Sequence, residues 1–206
     1  PDTTIRFAVV GAGHIGKRHA SMIQAHAEGE LVALCDVRPR AVLGLDAFEV
    51  PCFSSLAALL AAPLPIDVLC ICTPNGLHAQ QAIQALEAGK HVVCEKPMGL
   101  DKTSCEAVIY KALQKDRRLF CVMQNRYSPP SIWLQQILEE ERLGDIYSLQ
   151  INCYWNRDDR YYRPNGQPHD WKGTLELDGG PLFTQFSHFV DILYWLFGDI
   201  TNIRAR

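Results

Sequence analysis

Short apolar runs alternate with amphipathic segments through the first part of the chain. The apolar runs, rich in Val, Ile, Leu and Cys, lie at about residues 5–10, 31–36, 67–72, 90–94 and 119–124. Runs of this length that are apolar at nearly every position are typical of strands buried on both faces of a parallel sheet. Segments with helical spacing lie between them, at about residues 14–28, 39–47, 55–61, 76–88 and 101–116. The alternation predicts an α/β fold with a Rossmann-type, doubly wound parallel sheet.

The pattern changes after the last of these runs, where Ser128-Pro129-Pro130 opens a new helix. In chain order the sequence then predicts a helix, a long strand, a polar loop, an apolar helix and the start of another strand, at about residues 130–141, 146–155, 156–181, 182–197 and 200–206. Two strands with one helix between them make a poor free-standing domain. We therefore expect a Rossmann domain over residues 1–124, followed by the start of an α+β open-sheet domain over residues 125–206 that looks truncated.

Composition and charge argue against several classes of function. The chain has 206 residues and a formal net charge of −3 without a long basic run, which argues against nucleic-acid binding. No apolar stretch reaches the roughly 18 residues that a membrane-spanning helix needs. The eight cysteines form no C-x-x-C pair and lie mostly in apolar runs. We interpret them as buried, reduced thiols, which predicts a cytoplasmic protein without a metal site.

A glycine-rich turn follows the first predicted strand. Gly11, Gly13 and Gly16 form a G-x-G-x-x-G sequence between a strand and a helix. In this context the first glycine allows a tight turn, the second lets the backbone approach a pyrophosphate, and the third allows close packing of helix and strand. The pyrophosphate would lie at the helix N-terminus. An ordinary glycine-rich turn is the alternative.

Asp36 ends the second predicted strand, twenty residues after the last glycine. A carboxylate there accepts hydrogen bonds from the adenosine ribose and would repel a 2′-phosphate. Arg38 could accommodate that phosphate, so NADP stays possible, but we expect the acid to dominate and favour NAD. Asp36 could also serve only as a turn or capping residue.

Polar residues follow two further strands, at the edge where a doubly wound sheet binds ligands. Thr73-Pro74-Asn75 and then His78 follow one of them, and we expect them to contact the cofactor, although Asn75 could also cap the next helix. Glu95-Lys96-Pro97 follows the other. Burial beside a nicotinamide would lower the pKa of Lys96 and let it take a hydroxyl proton, and a cis Lys96–Pro97 bond could fix its direction. A solvated surface lysine is the alternative.

The apolar helix near the end of the chain carries a polar face. Thr184, His188 and Asp191 are spaced four and three residues apart, so they share one side of a helix. A histidine on an apolar helix is often a satisfied core residue. Its polar neighbours favour a site instead.

These segments resemble the Gfo/Idh/MocA oxidoreductases, the family of glucose–fructose oxidoreductase and inositol dehydrogenase. The matching segments cover nearly the whole chain and read GAGHIGKRHA, CDVRP, TPNGLHAQQAIQALEAGKHVVCEKPMGL and GGPLFTQFSHFVDILYWLFG. The combination of TPN, EKP and the histidine helix is highly specific. Members of this family continue into an open sheet that often mediates oligomers, which implies a homo-oligomer.

The resemblance implies roles for individual residues. Lys96 is the catalytic lysine of EKP and His188 is the proton acceptor. Thr184 stands where the family often has an aspartate; a threonine can bind a sugar hydroxyl but cannot act as a base, which leaves the proton to His188. We expect cofactor contacts from Gly11, Gly13, His14, Ile15, Gly16, Asp36, Arg38, Thr73, Pro74, Asn75, His78, Glu95, Lys96 and Asn125.

Aromatic and basic residues in the predicted loop suit a sugar and its anionic groups. The candidate substrate-binding residues are Arg126, Trp155, Arg157, Tyr162 and Trp171. The same composition fits an oligomer contact or an exposed loop equally well.

The resulting hypothesis is an NAD-dependent dehydrogenase that oxidises a secondary hydroxyl of a sugar, cyclitol or nucleotide sugar. Two alternatives keep the dinucleotide site. One is a glycosidase in which oxidation is transient and NAD is recycled, and the other is a non-catalytic, dinucleotide-sensing regulator.

Overall fold

Six strands form a single parallel sheet in the computed structural model, which describes residues 4–204. The strands are β1 (Ile5–Val10), β2 (Gly29–Cys35), β3 (Cys52–Phe53), β4 (Val68–Ile71), β5 (His91–Cys94) and β6 (Leu119–Cys121). Their order across the sheet is β3-β2-β1-β4-β5-β6, and every neighbouring pair is parallel. This confirms the Rossmann-type, doubly wound sheet. The direction of winding reverses between β1 and β4, which opens a crevice at their carboxyl ends.

The helices are α1 (His14–Ala25), α2 (Arg40–Leu43), α3 (Leu56–Ala61), α4 (His78–Glu87), α5 (Lys102–Gln114), α6 (Pro129–Glu139), α7 (Asp159–Tyr162) and α8 (Ser187–Phe197). The helix predicted at 39–47 is wrong beyond Leu43, because Gly44 takes a left-handed conformation that ends it. β3 was not predicted, since only Cys52 and Phe53 pair with β2 and two residues leave no readable pattern.

The buried core lies on both faces of the sheet. Ala8 and Val10 of β1 point to one face, where α3, α4 and α5 pack, and Val9 points to the other, where α1 packs. This two-sided burial explains the continuous apolar runs. It also raises the pKa of the Cys35 and Cys70 thiols to about 12, so these cysteines pack as small apolar residues.

The second part of the chain differs from the prediction. Residues 146–155 form no strand, and neither do residues 200–204; residues 205–206 lie outside the described part. A strand needs a neighbour for its N–H and C=O groups, and after β6 the described residues contain no further strand to pair with. The side chain of Tyr154 is accordingly 95% exposed.

The predicted helix at 182–197 is confirmed with an irregular start. Its first turn, Leu182–Phe186, is π-helical and leads directly into α8, which ends before Gly198. The predicted loop before it contains α7 and a 3-10 turn at Pro164–Gly166.

None of the helices within residues 4–204 combines the length and apolar character that crossing a membrane requires.

Candidate active site

Two of the three glycines of the first loop are tightly packed, and the third borders open space. A Cβ on Gly16 would lie 1.8 Å from the carbonyl oxygen of Gly11, and one on Gly11 would lie 2.6 Å from the carbonyl carbon of Cys72. Both glycines are therefore required by packing. A Cβ on Gly13 would meet only the Arg38 guanidinium, at 3.7 Å. Gly13 thus borders open space in front of the N-terminus of α1, which fits a pyrophosphate bound by free N–H groups.

Asp36 ties this glycine loop to the end of β2. Its carboxylate accepts a hydrogen bond from the backbone N–H of Ala12 at 2.9 Å and others from the backbone and side chain of Arg38. Burial alone would raise the pKa of Asp36, but the hydrogen bonds from Arg38 and Ala12 lower it. The residue is therefore an anion at neutral pH. Because Arg38 is already paired with it, the arrangement favours a ribose over a 2′-phosphate.

His78 lies behind the crevice. Its side chain is buried, and its two ring nitrogens lie 2.7 Å from the backbone oxygens of Thr73 and Pro97. Burial lowers its pKa, although both carbonyl groups favour the proton. His78 therefore joins the loop after β4 to the loop after β5. Both ring nitrogens are thus engaged within the protein, and the cofactor contact that the sequence predicts for His78 stays a prediction.

The turn after β4 also holds a segment from the second part of the chain. The Asn75 side-chain amide donates to the carbonyl oxygen of Asp178 at 2.9 Å, and the Gly76 N–H donates to the carbonyl oxygen of Leu177 at 3.0 Å. A Cβ on Gly76 would lie 2.0 Å from the carbonyl oxygen of Glu176. The capping role considered for Asn75 is wrong, because its side chain binds this distant segment instead.

Lys96 follows β5 and points toward the start of the last helix. Its Nζ donates to the backbone oxygen of Thr184 at 2.6 Å, and the Lys96–Pro97 bond is cis, as considered from the sequence. Burial lowers the pKa of Lys96, although Glu95 and Asp178 oppose the shift. The exposed surface lysine considered as an alternative is wrong.

Glu95 has a partner that the sequence did not suggest. Nε2 of His19, on α1, donates to its carboxylate at 2.9 Å, and the backbone N–H of Lys96 lies 3.3 Å from its second oxygen. His19 stands one turn beyond Gly16, and only its position on the sheet-facing side of α1 could have indicated this contact.

His188 lies one helical turn after Thr184, the residue whose carbonyl oxygen binds Lys96. The side chain is buried, and Nδ1 has no hydrogen-bond partner among the described residues. Burial lowers its pKa and the nearby Lys96 lowers it further. A buried imidazole nitrogen without a hydrogen-bond partner carries a free-energy cost.

The other polar residues of that helix turn elsewhere. The Thr184 hydroxyl donates to the carbonyl oxygen of Gly180 at 3.1 Å, so this residue meets Lys96 through its backbone only. Asp191 forms a bidentate ion pair with Arg126, with N···O distances of 2.8 and 2.5 Å. The Arg126 guanidinium is thus bound to a carboxylate of the protein itself. The neighbouring Asn125 lies half-buried in a 3-10 turn.

Several side chains of the aromatic loop, residues 155–172, pack around Arg157. The Arg157 guanidinium carbon lies 4.6 Å from the Trp155 ring centroid and 4.3 Å from that of Tyr161, and Lys172 Nζ lies 4.2 Å from the Tyr161 centroid. Tyr162 packs edge-on against Tyr161, and Trp171 packs against His169. The sequence pointed to Arg157 and Trp155 but missed Tyr161 and Lys172, since composition does not show which rings meet which cations.

Two family models cover almost the whole chain. The oxidoreductase family with an NAD-binding Rossmann fold matches residues 5–123, and the GFO/IDH/MocA C-terminal domain matches residues 132–206. Among curated relatives, the inositol 2-dehydrogenase of Rhizobium meliloti (strain 1021) is 29% identical over 95% of this chain and 56% of its own length. The D-glucoside 3-dehydrogenase of Escherichia coli (strain K12) is 32% identical over 94% of this chain and 54% of its own.

Solved structures give the same result. The WlbA dehydrogenase from Bordetella pertussis, in complex with NADH and UDP-GlcNAcA, is 38% identical with a TM-score of 0.88, over 95% of this chain and 60% of its own. The WlbA dehydrogenase from Chromobacterium violaceum, with the same two ligands, is 36% identical with a TM-score of 0.88, over 95% and 56%. The chain thus spans about half the length of the curated relatives it matches. With its Rossmann sheet, glycine loop and EKP lysine, the chain belongs to the Gfo/Idh/MocA family of NAD-binding oxidoreductases.

Proposed function

We propose that the protein is an NAD-dependent dehydrogenase that oxidises a secondary hydroxyl of a sugar, cyclitol or nucleotide sugar. The observation that supports this proposal is the contact that brings Lys96 to the histidine helix: Lys96 Nζ donates to the carbonyl oxygen of Thr184, one helical turn before the buried His188. Residues 1–124 would hold the cofactor through the Gly11–Gly16 loop and Asp36. The bound nicotinamide supplies the hydride acceptor.

Lys96 and His188 divide the proton transfer between them. Lys96 is held by the Thr184 carbonyl group, so its remaining N–H groups can donate to the substrate hydroxyl. His188 has a lowered pKa and is neutral at pH 7, so its imidazole can accept the hydroxyl proton. The Thr184 hydroxyl donates to the carbonyl oxygen of Gly180, so it would meet the substrate only as a hydrogen-bond acceptor.

The relatives narrow the substrate class. Curated relatives act on inositol and on D-glucosides by their names, whereas two structures with a TM-score of 0.88 and 36–38% identity hold UDP-GlcNAcA. The higher identity favours a nucleotide sugar. The aromatic loop supports the same class, because aromatic faces pack against sugar rings and a stacked arginine suits an anion.

We expect stoichiometric NADH formation when the purified protein is supplied with NAD and its substrate. A panel of myo-inositol, D-glucosides and UDP-linked sugars would be assayed for NADH and for released aglycone. Net NADH supports the dehydrogenase. Release of aglycone without net NADH would indicate transient oxidation, and NAD binding without any turnover would indicate a regulator.

The pH dependence of oxidation should follow the protonation of the His188 imidazole. Since the neutral imidazole is the acceptor and its pKa is lowered by burial, activity should be constant around pH 7. It should fall only as the pH drops below the ordinary histidine pKa of about 6.5. The measurement is kcat/KM against pH, with His188→Asn, which should lower kcat/KM about 100-fold and lose the acid limb. An unchanged acid limb in His188→Asn would assign the proton to another group.

A further inference from the structure

The turn after β4, residues 73–78, is connected to both partners of the contact between Lys96 and Thr184. Lys96 Nζ donates to the carbonyl oxygen of Thr184 at 2.6 Å, and this bond brings the lysine to the helix that carries His188. Its two partners are 88 positions apart in the sequence, so other parts of the fold must set their separation. Hydrogen bonds lead from each partner back to this one turn.

On the lysine side, the backbone is held immediately before and immediately after Lys96. The Glu95 N–H donates to the carbonyl oxygen of Ile71, the last residue of β4, at 2.9 Å. Nδ1 of His78 lies 2.7 Å from the carbonyl oxygen of Pro97. The His78 side chain is only 1% exposed, so water does not compete for this bond. His78 therefore fixes the direction in which the chain leaves Lys96.

The neutral form of His78 is sufficient for this link. Both ring nitrogens face carbonyl oxygens, those of Pro97 and Thr73, and a neutral imidazole can donate to only one of them. Burial lowers the pKa of His78 against the opposing effect of the two carbonyl groups, which leaves the imidazole neutral at pH 7. Thr73 belongs to the turn that leads into His78 itself. The bond that joins two different loops is therefore the one from Nδ1 to Pro97.

On the helix side, the same turn holds the segment that precedes Thr184. The buried side-chain amide of Asn75 donates to the carbonyl oxygen of Asp178 at 2.9 Å. Two residues later, the carbonyl oxygen of Gly180 accepts the backbone N–H of Thr184 at 3.1 Å. The carbonyl group that binds Lys96 is thus connected to Asn75 by two successive hydrogen bonds and the short stretch of backbone between them.

We infer that His78 and Asn75 are positioning residues that hold the Lys96 ammonium group against the helix of His188. The inference rests on the proposed dehydrogenase function. His78 fixes the lysine side and Asn75 fixes the helix side, and both belong to one short turn. The contacts therefore close into a ring that passes through Asn75, Asp178, Gly180, Thr184, Lys96, Pro97 and His78. A displacement of about 1 Å at a reacting group can cost about 100-fold in rate, so such a ring matters for turnover.

Two substitutions of His78 separate its two contacts. In His78→Asn the amide nitrogen can take the position of Nδ1 and keep the bond to Pro97. In His78→Gln it can take the position of Nε2 and keep only the contact with Thr73. Both variants place a neutral amide at the same buried site, so their melting temperatures should be similar. Gln81→Leu is the control, because Gln81 lies three residues further along α4 and its bond with the Thr73 hydroxyl, at 2.6 Å, stays between α4 and the turn.

We expect His78→Gln to lower kcat about 10- to 100-fold, while His78→Asn and Gln81→Leu stay within about threefold of the wild type. The substrate would be the sugar that gives NADH in the panel above. In crystal structures of the same proteins with NADH, the distance from Lys96 Nζ to the Thr184 carbonyl oxygen should stay near 2.6 Å in His78→Asn. In His78→Gln it should exceed about 3.5 Å.

Asn75→Leu opens the same ring on the helix side, because leucine has a similar size but no donor for Asp178. Its kcat should fall about as far as that of His78→Gln. The double variant should lose little more than the worse single variant, since a ring that is already open positions nothing further. Two independent structural defects would instead multiply.

Three results would overturn the inference. The first is an equal loss of kcat in His78→Gln and His78→Asn that follows their melting temperatures, which would make His78 a structural residue only. The second is an unchanged contact between Lys96 and Thr184 in the crystal structure of His78→Gln. The third is a double variant in which the two single losses multiply.

The two proposals can fail separately. If the wild-type protein bound NADH but oxidised no sugar, while His78→Gln alone opened the lysine contact, only the dehydrogenase would be contradicted. If the wild type oxidised a sugar and His78→Gln did so at the same rate, only the positioning role would be contradicted.

Discussion

Lys96→Met should lower kcat/KM for the oxidised sugar by roughly 1,000-fold. Methionine fills much of the same space but cannot donate to a hydroxyl, and it cannot bind the Thr184 carbonyl group at the start of the last helix. The effect should therefore fall on the chemical step. Steady-state kinetics, together with NAD titration by calorimetry, would separate turnover from cofactor binding.

Lys102→Met, on α5, is the matched control, since it removes one lysine charge from an exposed surface site. Its kinetics should match those of the wild type. If Lys96→Met oxidised every accepted sugar at the wild-type rate, the role proposed for Lys96 would be wrong.

Gly16→Ala should destabilise the fold by about 3 kcal/mol or more and abolish NAD binding. The added Cβ would lie 1.8 Å from the carbonyl oxygen and 2.9 Å from the carbonyl carbon of Gly11. Both atoms belong to the backbone of the glycine loop, which is itself pressed against the end of β4, so neither can move without displacing the strand. Urea denaturation measures the change in the free energy of unfolding.

Gly13→Ala is the matched variant in the same loop. Its Cβ would meet only the Arg38 guanidinium at 3.7 Å, and Gly13 has φ −71°, which alanine adopts freely. Stability should stay within about 1 kcal/mol of the wild type, whereas the methyl group should raise the Kd for NAD at least tenfold by filling the space assigned to the pyrophosphate. Normal NAD affinity in Gly13→Ala would mean that the cofactor does not approach this glycine.

Most of the Rossmann domain and its glycine loop could be predicted, because the sequence patterns that indicate them involve residues close together in the chain. A strand buried on two faces shows as a continuous apolar run, and a close backbone approach shows as a glycine. Lys96 and His188 were found by motif, and in the structure Lys96 binds the carbonyl group of Thr184, one helical turn before His188. Their catalytic roles remain predictions.

The contacts that were missed depend on residues distant in sequence. The bond between Asn75 and Asp178 spans 103 positions, and that between His19 and Glu95 spans 76. The periodicity of apolar residues along the sequence does not indicate hydrogen bonds between such distant residues. The strand predicted at 146–155 failed for the opposite reason: its pattern was readable, but a strand also requires a partner, and residue pattern cannot supply one.

The short turn after β4 contacts both the glycine loop and a segment from the second part of the chain. On one side its backbone lies against Gly11, and on the other Asn75 and Gly76 hold the Glu176–Asp178 segment. An insertion or deletion here would shift the glycine loop and the Glu176–Asp178 segment together. Divergence toward new substrates therefore has little freedom in this turn.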